Sequence, residues 1–269
     1  MIRQVKNYLK EKIFGNCEFI KNIEEIEMTN FFETFRPLTI VYPVYITNKK
    51  RINNVIKSLK IYENLTVEQK KKLYIILVDD ASTVKLELPE FDLNLTVLRI
   101  QKNIKWNSGG AKNLGVLSAS TERIIISDID HWFPAETLSF CMRIKNLDNK
   151  VFAFNQHEFL ADGTESKNIL IHPNIFFLSK TTYLMMHGYD EDFCGYYGDD
   201  IFFRKYLSEM KKIEVYNSGK ISYVKTFDDS HNLKRKLNCR FLLFRKGLRH
   251  SKDMLRFPWE LVYSWKIDD

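Results

Sequence analysis

Arg123-Ile124-Ile125-Ile126-Ser127-Asp128-Ile129-Asp130 is the stretch on which the fold turns. Its first half is β-branched and apolar, the composition of a strand buried on both faces. Its second half places two carboxylates at i and i+2, on one side of an extended segment. Outward from it the same pattern recurs. Leu38–Val44, Leu73–Val78 and Leu95–Ile100 are short apolar runs, and two of them also stop at polar or acidic residues. Ile52, Val55, Ile56 and Leu59 repeat at helical spacing, so residues 49–62 read as a helix. A second helix is expected to begin near Gly110 and to turn Leu114 and Leu117 inward. Strands alternating with helices predict an α/β fold with a mostly parallel central sheet, whose ligands bind beyond the carboxyl ends of the strands. That rule gathers Pro43–Tyr45, Asp79–Ser82, Asn103–Gly110 and Asp128–His131 around one crevice. Further on, Val151–Phe159 and Asn174–Ser179 read as strands and Asp199–Lys212 as a helix.

Length and composition narrow the function classes. The chain has 269 residues, 45% hydrophobic and 14% aromatic, with 10 Gly and 6 Pro, enough for a large packed core. Cys17, Cys141, Cys194 and Cys239 lie far apart without a C-x-x-C pair, which argues against a disulfide framework or a zinc site. They read as reduced thiols of a cytosolic protein. The formal charge of +7 favours anionic partners without choosing among them. Residues 1–36 show helical spacing broken by charges, unlike a signal peptide, and no run is long enough to span a membrane. The expected location is cytoplasmic or peripheral at the inner membrane face. Three segments follow: a helical extension over 1–36, a catalytic domain over 37–231 with halves at 37–131 and 132–231, and a basic helical tail over 232–269.

Four constellations carry chemistry. Asp128 and Asp130 can grip a divalent ion that grips a diphosphate, although a second acidic triplet, Asp190-Glu191-Asp192, shows that such triplets also arise as ordinary turns. Asp79 and Asp80, with Ala81 and Ser82, can accept hydrogen bonds from a base or ribose, or cap a turn. Asn103 through Gly115, containing Gly109-Gly110-Ala111-Lys112-Asn113, can cradle phosphate at a helix start or simply cap that helix. It matches neither a Walker loop nor a dinucleotide fingerprint, against ATPase and dehydrogenase readings. Gly188–Ile201 mixes aromatics, glycines and the pair Asp199-Asp200, a platform for a sugar ring beside a possible general base.

In this order the segments resemble family 2 glycosyltransferases of the GT-A fold, over roughly residues 37–231. Gly188–Ile201 looks like the galactosyltransferase-type motif shared by β-1,4-galactosyltransferases and chondroitin-type polymerases. The resemblance implies an inverting, metal-dependent transfer of a hexose or N-acetylhexosamine from a nucleotide-sugar, UDP-linked, to a glycan or glycolipid hydroxyl in polysaccharide biosynthesis. By it, Pro43, Tyr45, Asp79 or Asp80, Asn103, Lys112 and Asn113 lie around the nucleotide. Asp128, Ile129 and Asp130 form the Asp-X-Asp element for Mn²⁺ or Mg²⁺ and diphosphate, Asp130 being the direct ligand and His231 a third. Asp200 is the general base, with Asp199, Tyr196, Tyr197 and Gly198 on the acceptor. Asp199 stands where the family has Glu, and Cys194 and Tyr196 or Tyr197 where it has Trp, so sugar specificity is not carried across. The alternatives are a nucleotidyltransferase, which needs a triphosphate loop that Tyr42–Lys50 lacks, and a noncatalytic carbohydrate-binding or membrane-adaptor protein. The tail, over Asn232–Arg256, either lies on an anionic membrane or packs on the domain. Nucleic acid is not an expected partner, because its aromatics follow no recognised binding pattern.

Overall fold

The computed structural model describes residues 20–22, 31–159, 170–196, 198–210, 212–224 and 233–267. Ten strands form one sheet: β1 (Ile20–Asn22), β2 (Leu38–Val44), β3 (Leu73–Asp79), β4 (Asn94–Ile100), β5 (Arg123–Ile126), β6 (His131–Trp132), β7 (Lys150–Phe159), β8 (Leu170–Ser179), β9 (Glu214–Val224) and β10 (Trp259–Trp265). Their order is β1-β9-β7-β8-β5-β2-β3-β4-β10, with β6 also paired to β9. The helices are α1 (Lys49–Tyr62), α2 (Val67–Lys72), α3 (Ser108–Ser118), α4 (Ala135–Arg143), α5 (Lys180–Met185), α6 (Asp199–Glu209) and α7 (Leu233–Lys246).

The central strands β5, β2, β3 and β4 are parallel, as are β7–β9 and β1–β9. β8 runs antiparallel to β5 and β7, and β10 antiparallel to β4. The chain proceeds outward from β2 through β3 and β4, then returns to place β5 on β2's other side. A topological switch therefore lies between the carboxyl ends of β2 and β5, where such sheets open a ligand crevice.

Alternate residues of the central strands feed two cores. Ile40, Tyr42, Ile75 and Leu77 pack on one face with Val55, Leu59 and Tyr62 of α1 and Leu138, Cys141 and Met142 of α4. Val41, Ile76 and Val78 pack on the other with Ala111 and Leu114 of α3, Tyr183 of α5 and Phe203 and Leu207 of α6. Burial on both faces explains why these strands read as unbroken apolar runs. Gly115 permits this close approach, since a Cβ there would come within 2.2 Å of Val41 Cγ1. Leu117 is only half-buried. α1 starts where Asn48 Oδ1 accepts from Arg51 N at 3.1 Å, a cap worth about 1 kcal/mol.

Two segments differ from the sequence reading. Most of 1–36 lies outside the described residues, and its part at Ile20–Asn22 is a strand parallel to β9 rather than helix. The tail is helical over Leu233–Lys246 but then returns as β10, whose Trp259–Trp265 register on β4 extends the sheet. Its residues are mostly exposed, so no two-sided apolar run announced it.

Candidate active site

The four segments expected around one crevice are joined by direct contacts. Asp80 N donates to Val44 O at 2.9 Å, and Ser82 Oγ accepts from Ile46 N at 2.7 Å. Asn103 Nδ2 donates to the exposed Tyr45 hydroxyl at 3.3 Å. Asn107 Nδ2 donates to Asp80 Oδ1 at 3.0 Å. Tyr42 donates its one hydroxyl proton to His131 O at 3.0 Å, so the 2.6 Å contact with Tyr62 has Tyr62 as donor. Tyr62 in turn accepts from Phe133 N at 3.2 Å, and this buried relay holds the loop after Asp130 against the core.

Asp79 and Asp80 divide their work. Asp79, directly across from Arg99 on β4, pairs with that guanidinium and accepts from Ser82 N at 2.8 Å. Asp80 faces Asn107, and burial pushes its carboxyl up to about 6 against the opposing bonds from Asn107. Asp80 is thus the member of the pair without a cationic partner among the described residues.

Asp128 lies at the switch point. Lys112, fully buried on α3, places Nζ 3.2 Å from Asp128 Oδ1, and Asn174 Nδ2 donates to Asp128 Oδ2 at 3.1 Å. Burial alone would raise the carboxyl, but Lys112, His131 and His172 outweigh it and hold Asp128 below the usual carboxylate range. Lys112 Nζ also sits 5.2 Å from the centre of the Tyr189 ring.

Three side chains that could hold a divalent ion come together, and among the described residues they include Asp128 but not Asp130. Asp128, His131 and His172 each offer an atom within 4.8 Å of the others, the two imidazole rings standing 4.4 Å apart edge to face. Asp130 lies outside that set and pairs with His131 Nδ1 at 2.8 Å. One carboxylate and two imidazoles suit a first-row transition ion better than magnesium, which prefers oxygen throughout. Burial, with His131 nearby, drives His172 down to about 3. His231 lies outside the described residues. His131 was not singled out from the sequence, although its place directly after Asp130 was a usable signal. His172 carried no local signal, because β8 delivers it from 41 positions beyond His131.

The acidic pair of α6 approaches the same region. A Cβ on Gly109 would lie 3.1 Å from Asp199 Oδ2, so the glycine serves to let α3 and α6 touch. Burial and the neighbouring Asp200 push Asp199 up to about 6. Asp200 Oδ2 meets Arg204 Nη1 at 3.3 Å, and Arg204 also donates to Pro173 O at 2.6 Å, which fixes the pair's orientation. Tyr196 is exposed, Gly198 is buried at φ 124°, and Tyr197 lies outside the described residues. Pro43 and Ile129 are half-buried.

Asn113 is held inside the fold by hydrogen bonds on both sides of its amide. Fully buried, it donates to Tyr189 O at 2.9 Å and Glu191 Oε1 at 2.8 Å, and accepts from the Tyr183 hydroxyl at 2.5 Å and Tyr189 N at 2.9 Å. The second acidic triplet is a clamp for the tail. Glu191 accepts from Leu255 N and Arg256 N at 2.8 and 3.1 Å, Asp190 meets Lys246 at 2.8 Å and Ser251 N at 3.0 Å, and Asp192 pairs with Lys246 and Arg256. Phe257 then covers Gly110, where a Cβ would lie 2.6 Å from the ring. At the amino ends of the strands a separate cavity of about 690 Å³ is lined by Phe32, Arg36, Arg123 and Lys145, far in topology from these carboxylates.

The family model "Glycosyl transferase family 2" matches residues 39–210, the span that holds every described site residue. No curated protein matches significantly. Among solved structures, a mannosyltransferase of Pyrobaculum calidifontis in complex with GDP-Man and Mn²⁺ is similar at 17% identity and TM-score 0.54, over 81% of this chain and 66% of its own. S. aureus TarS 1–349 in complex with UDP is similar at 16% identity and TM-score 0.52, over 81% and 67%. GalNAc-T7 with UDP, GalNAc and Mn²⁺ is similar at 13% identity and TM-score 0.52, over 79% and 48%. The chain thus spans only about half to two thirds of the length of these structures, and the likeness concerns the fold. With the family model covering well over half its length and the crevice at the switch point of a matching sheet, the chain belongs to glycosyl transferase family 2, on the GT-A fold.

Proposed function

We propose that the protein is an inverting glycosyltransferase that moves a hexose or N-acetylhexosamine from a UDP-linked donor to a hydroxyl of a glycan or glycolipid. The observation that carries this reading is the meeting of Asp128, Lys112, His131 and His172 at the switch point, with the Asp199-Asp200 pair beside α3. Asp80 and Asn103 receive the nucleoside, with Tyr45 at the rim. Asp128, His131 and His172 would hold a divalent ion, with Asp130 orienting His131. Such an ion would supply positive charge to offset the charge that builds on the departing nucleoside diphosphate.

Asp200 accepts the proton of the attacking acceptor hydroxyl, oriented by Arg204. Asp199 and the exposed Tyr196 position the acceptor sugar. One displacement assisted by one base inverts the anomeric centre. The bonds that place Asn113 inside the fold favour a structural role for it over a contact to the nucleotide.

A thermal-shift screen of nucleotide-sugars with manganese identifies the donor, because a ligand of the native state raises its stability with the logarithm of occupancy. Proton NMR of the first-formed product then reads the anomeric configuration. Retention of configuration would overturn the single-displacement mechanism, and no manganese-dependent release of nucleoside diphosphate from any donor would return the noncatalytic reading.

A further inference from the structure

α7 has two faces of opposite character. Cys239, Leu242 and Lys246 recur at helical spacing and are buried, with Leu242 packed on Phe193 and Phe202 and Cys239 against Gly198. The opposite stripe, Phe241 and Phe244 and then Leu248 in the turn beyond, is 68%, 87% and 43% exposed. These are large apolar groups in water at consecutive positions of one helical face, which a folded domain ordinarily covers. Around them stand Arg240, Arg245, Arg249 and Lys252, all exposed, and none pairs with a carboxylate among the described residues. From Cys239 to Lys252 there is no acidic residue. Lys246, the cation of the buried face, is already committed to Asp190 and Asp192.

We propose that this face of α7 docks on a lipid surface bearing anionic headgroups, with Phe241, Phe244 and Leu248 entering the interface and the four cations meeting the headgroup phosphates. Neither feature suffices alone: isolated cations would stay in water, and an apolar stripe without them would fit any apolar partner. A second copy of this chain is disfavoured, because a two-fold contact through the stripe would set each cluster of cations against its equal. No described helix is long and apolar enough to cross a membrane, so the contact is a surface one. The buried face of α7 rests on the Phe193–Phe202 region, beside Asp199 and Asp200. Docking therefore holds the acceptor side of the crevice toward the headgroups and favours a lipid-linked acceptor. That last step rests on the proposed acceptor role of this region, whereas docking itself does not.

The test is co-sedimentation of the full chain with vesicles of phosphatidylcholine alone or with about 30% phosphatidylglycerol, near physiological salt. The native protein should bind the mixed vesicles and not the neutral ones. Phe241→Ser combined with Phe244→Ser, and separately Arg240→Gln combined with Arg245→Gln, should each weaken binding by about tenfold or more. Both pairs lie on the exposed face, so melting temperature and donor-induced thermal shift should not change, and that readout keeps a failure here distinct from a failure of the crevice reading. Equal vesicle binding by the variants, or no binding by the native protein, overturns the proposal. So does a native dimer that the serine variant dissociates, which would assign the stripe to a second copy.

Discussion

Replacing Asn113 with Ala separates a structural lock from a ligand contact. The substitution removes four buried hydrogen bonds at once, those to Tyr189 O, Glu191 Oε1, the Tyr183 hydroxyl and Tyr189 N. Glu191 keeps Leu255 N and Arg256 N and loses least. The Tyr183 hydroxyl, Tyr189 N and Tyr189 O are left inside the core, where each unsatisfied group costs about 1–3 kcal/mol. Partial relaxation and the shared neighbourhood make these costs less than additive, so the expected loss is roughly 4 kcal/mol. That is a large fraction of a stability on the order of 5–15 kcal/mol. In a chain of this size it corresponds to a fall in Tm of about 10 °C. Urea unfolding followed by tryptophan fluorescence gives the free energy, and nucleoside diphosphate release at varied donor gives KM. The expected pattern is a large loss of stability with donor KM little changed below the new Tm. An unchanged Tm with donor KM raised about tenfold would refute the lock and return Asn113 to the nucleotide.

Further outcomes follow from the same geometry. Asp200→Asn should lower kcat by about 10²–10⁴, the usual worth of a general base, while manganese-dependent donor binding stays near native. A rate within threefold of native, with Asp199→Asn inactive instead, would move the proton acceptor to Asp199. Gly198→Ala combines a φ of 124° with a Cβ that would lie 2.1 Å from Cys239 Sγ, and should cost about 3 kcal/mol in urea unfolding. Cys239→Ala should recover part of that cost, and no recovery would clear the sulfur of blame. Asp80 is held at about 6, above its unfolded value near 3.8, so the native state binds this proton more tightly than the unfolded chain. Its contribution is complete below about pH 4 and lost as pH rises through about 6, a change of up to roughly 3 kcal/mol. Asp199 is raised to a similar value and adds its own slope over that window, so Asp80→Asn should remove only part of the pH dependence, and an unaltered profile would rule out Asp80 as a source.

Local patterning carried most of the secondary structure. The apolar run at Leu38–Val44 and the helical repeat over 49–62 emerge with those bounds, because a period is set by neighbours along the chain. The order of strands and their polar ends is enough to gather four segments toward one crevice, because both follow from the parallel topology. β10 was not legible in the same way: an edge strand exposed along most of its length has no core-facing run to betray it.

The division of labour among similar residues belongs to the tertiary structure. Two acidic triplets look alike in sequence, yet Asp128 closes a strand at the switch point while Asp190–Asp192 are consumed by Lys246, Ser251, Leu255 and Arg256. The family resemblance puts Asn113 near the nucleotide, and the fold turns it inward. His131 and His172 become neighbours only because β8 pairs with β5. The sequence by itself determined the central strands, the helix over 49–62 and where the polar ends of those strands fall, since these depend on spacing of a few residues. Which carboxylate faces a lysine, an imidazole or the chain's own tail depends on pairings tens of residues apart, and only the closed fold, where burial sets the cost of every unpartnered polar group, decided it.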